Sequence, residues 1–241
     1  MVGAAELVDH MKKCGVNKAV VFGFPWESVE IARMHNDYVL RATERFPDSL
    51  IPFACSGIAT KNGVNELERC SALGFRGIGE LAFYTGKSTD EQLRAIAPVI
   101  EMCREKNLVL LVHSNEPVGH EYPGKARAGL RFYYELAKMC KDMPLVLAHW
   151  GGGLFFYATL KKEATEVLRN VYYDTAASPY LYHNTIYKLA VEIVGSDKIL
   201  FGSDFPLLSP SRYFDEMSDA GLPNDDISKI TGANAKKLLG I

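Results

Sequence analysis

Four residues able to bind a metal or move a proton stand at the ends of apolar runs. They are Glu80, His113, His149 and Asp204. Glu80 follows Ile78-Gly79, His113 closes Leu108-Val-Leu-Leu-Val112, His149 closes Pro144-Leu-Val-Leu-Ala148, and Asp204 follows Ile199-Leu-Phe-Gly-Ser203. Two imidazoles and two carboxylates form a donor set that suits zinc, manganese or iron. An aspartate beside a metal can also take a proton from bound water, so Asp204 is the candidate general base. Each residue taken singly has a plainer reading. A histidine at a strand end is commonly a hydrogen-bonded structural residue, Glu80 could pair with Arg76, and Asp204 before Phe205-Pro206 could cap a turn. All four hold the same position relative to their runs, which points to shared chemistry.

A second group of polar residues follows the same run ends. After His113 comes a long turn-rich segment, Ser114–Lys125, which contains Glu116, His120, Tyr122 and Lys125. Long loops of this kind carry substrate contacts in many enzymes, so His120, Tyr122 and Lys125 are candidate substrate-facing residues. Pro117, Gly119, Pro123 and Gly124 would equally make it an ordinary loop. Trp150, a further candidate substrate contact, and Gly151–Gly153 follow His149, and the glycines either let backbone approach a ligand or make a tight turn. Asp174 is a candidate for the substrate pocket or for orienting a ligand histidine. Near it, Ser178, Tyr180 and His183 read as wall or core.

These residues can act together only if the chain brings the run ends together. The apolar runs predict seven strands: Lys18–Phe24, Leu50–Ser56, Phe75–Leu81, Leu108–His113, Pro144–His149, Asn170–Thr175 and Lys198–Ser203. Continuous apolar strands mark a parallel sheet covered on both faces. Between and around them, amphipathic periodicity predicts helices over Glu6–Cys14, Val29–Phe46, Gly63–Leu73, Asp90–Lys106, Ala126–Cys140, Leu154–Leu168, Tyr182–Val194 and Arg212–Ala220. A last one, Asp225–Leu239, carries Gly232 in its middle. Gly15 is a natural residue to end the first, and Thr89 a natural N-cap. Strict alternation of this kind leaves an open doubly wound sheet or a closed barrel, and a barrel needs eight strands. No linker or composition shift divides the chain, so residues 1–241 read as one domain.

The chain has 241 residues, 48% hydrophobic and 23% charged, with a formal net charge of −2. That balance permits a large core and argues against a nucleic-acid or anionic-membrane partner. The apolar runs are too short to span a bilayer, and the first residues lack the pattern of a secretion signal, so a cytoplasmic location is expected. The cysteines at 14, 55, 70, 103 and 140 form no CxxC pair and read as reduced, buried thiols.

Several phrases carry a family resemblance. Pro144-Leu-Val-Leu-Ala-His-Trp-Gly-Gly-Gly153, Asn170-Val-Tyr-Tyr-Asp-Thr-Ala-Ala-Ser178 and Lys198-Ile-Leu-Phe-Gly-Ser-Asp-Phe-Pro206 resemble the amidohydrolase-related family, in the branch with aminocarboxymuconate-semialdehyde decarboxylase. So do Gly232-Ala-Asn-Ala-Lys-Lys-Leu-Leu239 and His10-Met-Lys-Lys-Cys-Gly-Val-Asn-Lys-Ala-Val-Val21. The resemblance implies an α/β fold, a (β/α)8 TIM-type barrel holding one or two divalent ions, usually zinc. It implies His113 as a metal ligand, His149 as ligand or substrate contact, and Asp204 as ligand and proton shuttle. For Glu80 the match is different: Gly77-Ile-Gly-Glu-Leu81 resembles the metal-bridging glutamate segment of TatD-type deoxyribonucleases.

One feature of the family is missing. Its first strand ends in His-x-His, whereas the six histidines here, His10, His35, His113, His120, His149 and His183, include no such pair. The expectation is a barrel without its first strand, either because Met1 is an internal methionine of a longer protein, or because the shortened chain is real and holds metal through the remaining ligands, or because another subunit or a rearranged N-terminus fills the gap. An open edge of that kind favours self-association into a homo-oligomer.

The resulting first expectation is a metal-dependent hydrolase of a small amide, lactone or related carbonyl compound. A decarboxylase or hydratase acting on a carboxylated substrate is the alternative, favoured if a base such as Lys125 or Arg131 holds the carboxylate. A metal-poor binding protein is the non-catalytic alternative.

Overall fold

The structure is a computed structural model that describes residues 2–84 and 88–241. Its contacts gather into two compact units, Met1–Ala82 with Asp90–Val112, and Phe83–Thr89 with His113–Ile241.

The first unit alternates strictly. It runs α1 (Ala4–Lys13), β1 (Ala19–Val21), α2 (Val29–Arg45), β2 (Leu50–Ala54), α3 (Lys61–Ala72), β3 (Gly77–Leu81), α4 (Thr89–Lys106) and β4 (Val109–Val112). Its strands pair in parallel and in sequence order, with Ala19 beside Leu50, Phe53 beside Gly77 and Gly77 beside Val109. Such pairing follows from successive crossover helices, each returning the chain to the next position in the sheet. Helix α1 turns Val8 and Met11 inward against Ala42 and Leu50, and the chain leaves it through Gly15 at φ 72°. Thr89 opens α4 as its first residue, where a capping role was expected.

A polar knot sews α2, α3 and β2 together. Asn36, fully buried, accepts from the Cys55 amide and donates to Glu66. Glu66 also receives Arg33 at 3.0 Å and Arg69 at 2.7 Å. Burial pushes the Glu66 carboxyl up, but the bonds from Arg69, Asn36 and Arg33 outweigh it and hold it down at about 2.

The second unit carries β5 (Leu145–Leu147), β6 (Val171–Asp174) and β7 (Ile199–Leu200), again parallel and sequential, with Leu145 beside Val171 and Tyr173 beside Ile199. Its helices are α5 (Leu130–Met139), α6 (Glu163–Val167), α7 (Ser178–Leu181), α8 (Thr185–Val194), α9 (Pro210–Asp219), α10 (Asn224–Ser228) and α11 (Asn234–Leu239). Trp150, Tyr133, Tyr173, Tyr187, Tyr213, Phe132 and Phe155 fill its core.

All seven expected strands form, each shorter than its apolar run. At the last, the Phe201 amide donates to the Ile230 carbonyl, so the ladder stops at Leu200. The helix expected over Leu154–Leu168 is corrected: a tight 3-10 segment runs from His149 to Thr159, and only Glu163–Val167 is α-helical. The cause lies in the backbone, because Trp150 to Gly153 are left-handed and Lys162, at φ 57°, breaks the chain again. Helix α5 starts at Leu130 where Ala126 was expected, since the Ala126 amide is taken by the Asn115 side chain. Between α10 and α11 the helical path continues through a π turn, Lys229–Ala233, that contains Gly232. Among the described residues, no helix is long and apolar enough to cross a membrane.

Candidate metal and catalytic site

The strand-end segments of the second unit bring His113 and His149 together. His149 Nε2 lies 3.2 Å from His113 Nδ1, with the rings nearly perpendicular at a centroid spacing of 4.9 Å. The outer nitrogens face carbonyls. His113 Nε2 is 3.1 Å from the Gly124 oxygen, and His149 Nδ1 is 3.0 Å from the Ala176 oxygen. A carbonyl oxygen can only accept, so both outer nitrogens carry the hydrogen. In neutral rings both inner nitrogens are then acceptors, 3.2 Å apart. Two acceptors so close suit a shared proton or a metal ion bound beside them.

The spacing suits a metal. Bonds of about 2.1 Å opened at roughly 90–109° place two donors about 3.0–3.4 Å apart. Histidine ligands are commonly fixed by a carbonyl or carboxylate on the far nitrogen, as both are here.

Three supports hold His149 in place. Asp174 Oδ1 accepts from the His149 amide at 2.9 Å and from the Ala176 amide at 3.0 Å. His149 and Trp150 both take positive φ, 54° and 60°, conformations costly outside glycine. Gly152 completes the left-handed turn, and a Cβ added there would collide with the Asn115 carbonyl. The glycines after His149 therefore make a tight turn and admit protein backbone. Ser114, next to His113, donates to the Ala148 carbonyl next to His149.

Asp204 also sits on a left-handed residue, φ 55°, and its side chain is exposed. Among the described residues it does not fall within the 4.8 Å grouping of donor atoms that contains the two imidazoles. Its neighbour Ser203 is held by the Tyr213 hydroxyl, which donates to the Ser203 carbonyl at 2.7 Å and accepts from the Ala177 amide at 3.0 Å. Burial pushes the Tyr213 hydroxyl pKa well up, reinforced by the nearby charges of Asp204 and Asp174. Tyr213 thus links the segments after β6 and β7, and nothing in its sequence surroundings signals that role.

In the first unit, Glu80 is the last residue but one of β3 and half-buried, and its backbone carbonyl accepts from the Cys55 thiol at 3.0 Å. Burial pushes that thiol's pKa well up, and the Glu80 charge adds to it.

The loop after His113 is tied to itself. The Tyr122 hydroxyl donates to Glu116, the His120 and Tyr122 rings pack 5.7 Å apart, and Lys125 donates to the carbonyls of Val118 and His120. Burial raises the Tyr122 pKa, as does Glu116. Trp150 is completely buried and its indole N–H donates to Ser178 at 2.7 Å. Tyr84 faces His113 across 5.9 Å, a neighbour that spacing alone did not single out.

Parallel strands in sequence order, with paired imidazoles beyond their ends, define the class: the metal-dependent α/β barrel enzymes. The amidohydrolase family model matches residues 8–241, and the chain belongs to that family. Its fold is close to that of 2,6-dihydroxybenzoate decarboxylase complexed with 2,6-dihydroxybenzoate, with a TM-score of 0.76 at 19% identity over 98% of this chain and 87% of that one. A dihydroxybenzoic acid decarboxylase from Polaromonas sp. JS666, with bound manganese and the inhibitor 2-nitroresorcinol, gives 0.74 at 18% over 97% and 85%. A probable 2-pyrone-4,6-dicarboxylic acid hydrolase from Acinetobacter baumannii, with citric acid bound, gives 0.65 at 13% over 99% and 89%. A search of curated protein sequences returns no match. The fold is a TIM-type barrel, of which seven strands are present among the described residues.

Proposed function

We propose that this protein is a metal-dependent lyase that decarboxylates a small carboxylated compound. The observation that supports the metal requirement is the 3.2 Å spacing of His149 Nε2 and His113 Nδ1, each ring held by a carbonyl at its far nitrogen. In a barrel the strand ends converge on one mouth. On that ground Glu80 is proposed as a third metal donor. Two nitrogens and a carboxylate suit zinc or manganese. The bound ion would polarise a substrate oxygen and lower the pKa of a water.

Asp204 is assigned the proton. In decarboxylation the carbon that loses carbon dioxide gains a proton, and an exposed carboxylic acid held on a fixed corner can deliver it. Asp174 keeps His149 oriented, and His120 and Tyr122 are assigned to the pocket wall. Decarboxylation is preferred over hydrolysis because decarboxylases are prominent among the similar folds. Hydrolysis of a lactone or amide is the second reading, favoured by the likeness to the pyrone hydrolase. It would use the same residues, with Asp204 taking a proton from water.

The test supplies the protein with manganese or zinc and a panel of carboxyl-labelled hydroxybenzoates alongside lactones. Labelled carbon dioxide, released by the wild type and not by Asp204→Asn, is the expected result. A ring-opened acid without carbon dioxide would replace the lyase reading by the hydrolytic one. Turnover undiminished by full removal of metal would overturn both.

A further inference from the structure

We propose that Lys125 is a positioning residue for the metal site, locking the loop whose Gly124 carbonyl fixes His113. This inference rests on the metal-site reading above and names what holds that site's first histidine in its tautomer. The lysine side chain is only 8% exposed. Its nitrogen lies 2.9 Å from the Val118 carbonyl, 3.1 Å from the His120 carbonyl and 3.2 Å from Glu116 Oε1. An ammonium has three N–H donors, and three oxygens receive them. A nearly desolvated ammonium is costly unless its donors are met, so this one is committed to the loop and not held ready for a substrate carboxylate.

Around it the loop is closed at every turn. Glu116 Oε2 accepts from the Tyr122 hydroxyl at 3.1 Å, and the Tyr122 ring lies 5.5 Å from the ammonium. The Lys125 amide donates to the Tyr122 carbonyl at 3.1 Å. Asn115 closes the loop at its base, accepting from the Ala126 amide at 2.7 Å and donating to the Glu116 carbonyl. Gly124 stands between these anchors, and its carbonyl is the group that meets His113 Nε2. With Lys125 removed, that carbonyl loses the adjacent clamp. The hydrogen on His113 Nε2 is then held less firmly, and the other tautomer becomes accessible.

The experiment has two arms on Lys125→Met, with Glu116→Gln as a milder variant that keeps the carbonyl contacts. In the metal-free protein, nitrogen-15 NMR of the imidazoles should show His113 in a single Nε2–H tautomer, becoming a mixture in Lys125→Met. Calorimetric titration with manganese alone should show a dissociation constant raised about 10- to 100-fold, the range usual for groups that orient a ligand histidine. Glu116→Gln should move both readouts the same way by less, and it decides alone if Lys125→Met does not fold. An unchanged tautomer and unchanged affinity would overturn the inference. A rise confined to KM for a carboxylated substrate would do so as well, returning Lys125 to substrate binding. Wild-type protein that takes up no ion would overturn the metal reading, while the tautomer arm would still decide the role of Lys125.

Discussion

Asp174 holds His149 through the main chain: one carboxylate oxygen accepts both the His149 amide and the amide of Ala176, whose carbonyl meets the His149 ring. The carboxylate therefore governs the backbone and the side-chain orientation of one histidine at once. Asp174→Ala should lower metal affinity about 10- to 100-fold. Asp174→Asn, which keeps an accepting oxygen, should lose less. Titration of both variants with zinc or manganese gives the comparison.

Removing either imidazole takes away a donor itself. His113→Ala and His149→Ala should each weaken metal binding by on the order of 100-fold or more, read as metal content after dialysis. Acid should weaken it in the wild type too, because protons compete for the two inner nitrogens. An affinity indifferent to acid would place the ion elsewhere.

The Tyr213 hydroxyl satisfies two main-chain groups, the Ala177 amide and the Ser203 carbonyl. Tyr213→Phe leaves both without that partner, at a cost of about 1–3 kcal/mol in urea unfolding. A decarboxylation rate that falls while metal content holds would tie the hydroxyl to the placement of Asp204.

Glycine substitutions should divide by geometry. Gly152→Ala meets the Asn115 carbonyl at a φ of 59°, and should destabilise the protein by about 2 kcal/mol or more. Gly232→Ala meets no atom within 4 Å in the helical path between α10 and α11, and should stabilise by about 0.5–1 kcal/mol. Thermal unfolding of the pair checks both signs.

Glu66 sets an acid limit on the first unit. Its folded pKa of about 2 lies below the ordinary 4.5, so the folded state binds the proton more weakly than the unfolded chain does. The stability it contributes is whole above about pH 4.5 and disappears as pH falls toward 2. Glu66→Gln should cost about 1–3 kcal/mol at neutral pH, since the buried carboxylate's bonds to Arg69 and Asn36 are weakened. The gap between variant and wild type should narrow across that acid window. A gap independent of pH would show that the carboxylate charge is not what the knot needs.

The alternation of elements was readable along the chain because each strand is a local apolar run and each helix has its own amphipathic face. Periods of that kind survive in a one-dimensional string. So did His113 and His149, because a polar residue closing an apolar run stands out. Element boundaries were less legible. The helix expected after His149 failed because four successive left-handed residues, Trp150 to Gly153, override an apolar pattern that suits a helix. β7 stopped early because the Phe201 amide found its partner at Ile230, twenty-nine positions away in sequence by the residue numbers.

By itself, then, the sequence determined the order of strands and helices, the family, and the residue types offered at the strand ends. Each of those is written in local pattern or in short phrases. The tertiary structure decided which atoms meet. It turned the inner nitrogens of His113 and His149 toward each other, enclosed Trp150, set Tyr213 across two segments and spent the Lys125 donors on its own loop. Contacts of that kind depend on backbone carbonyls and amides, which every residue carries alike. No choice of side chain announces which of them a fold will aim at a given ring.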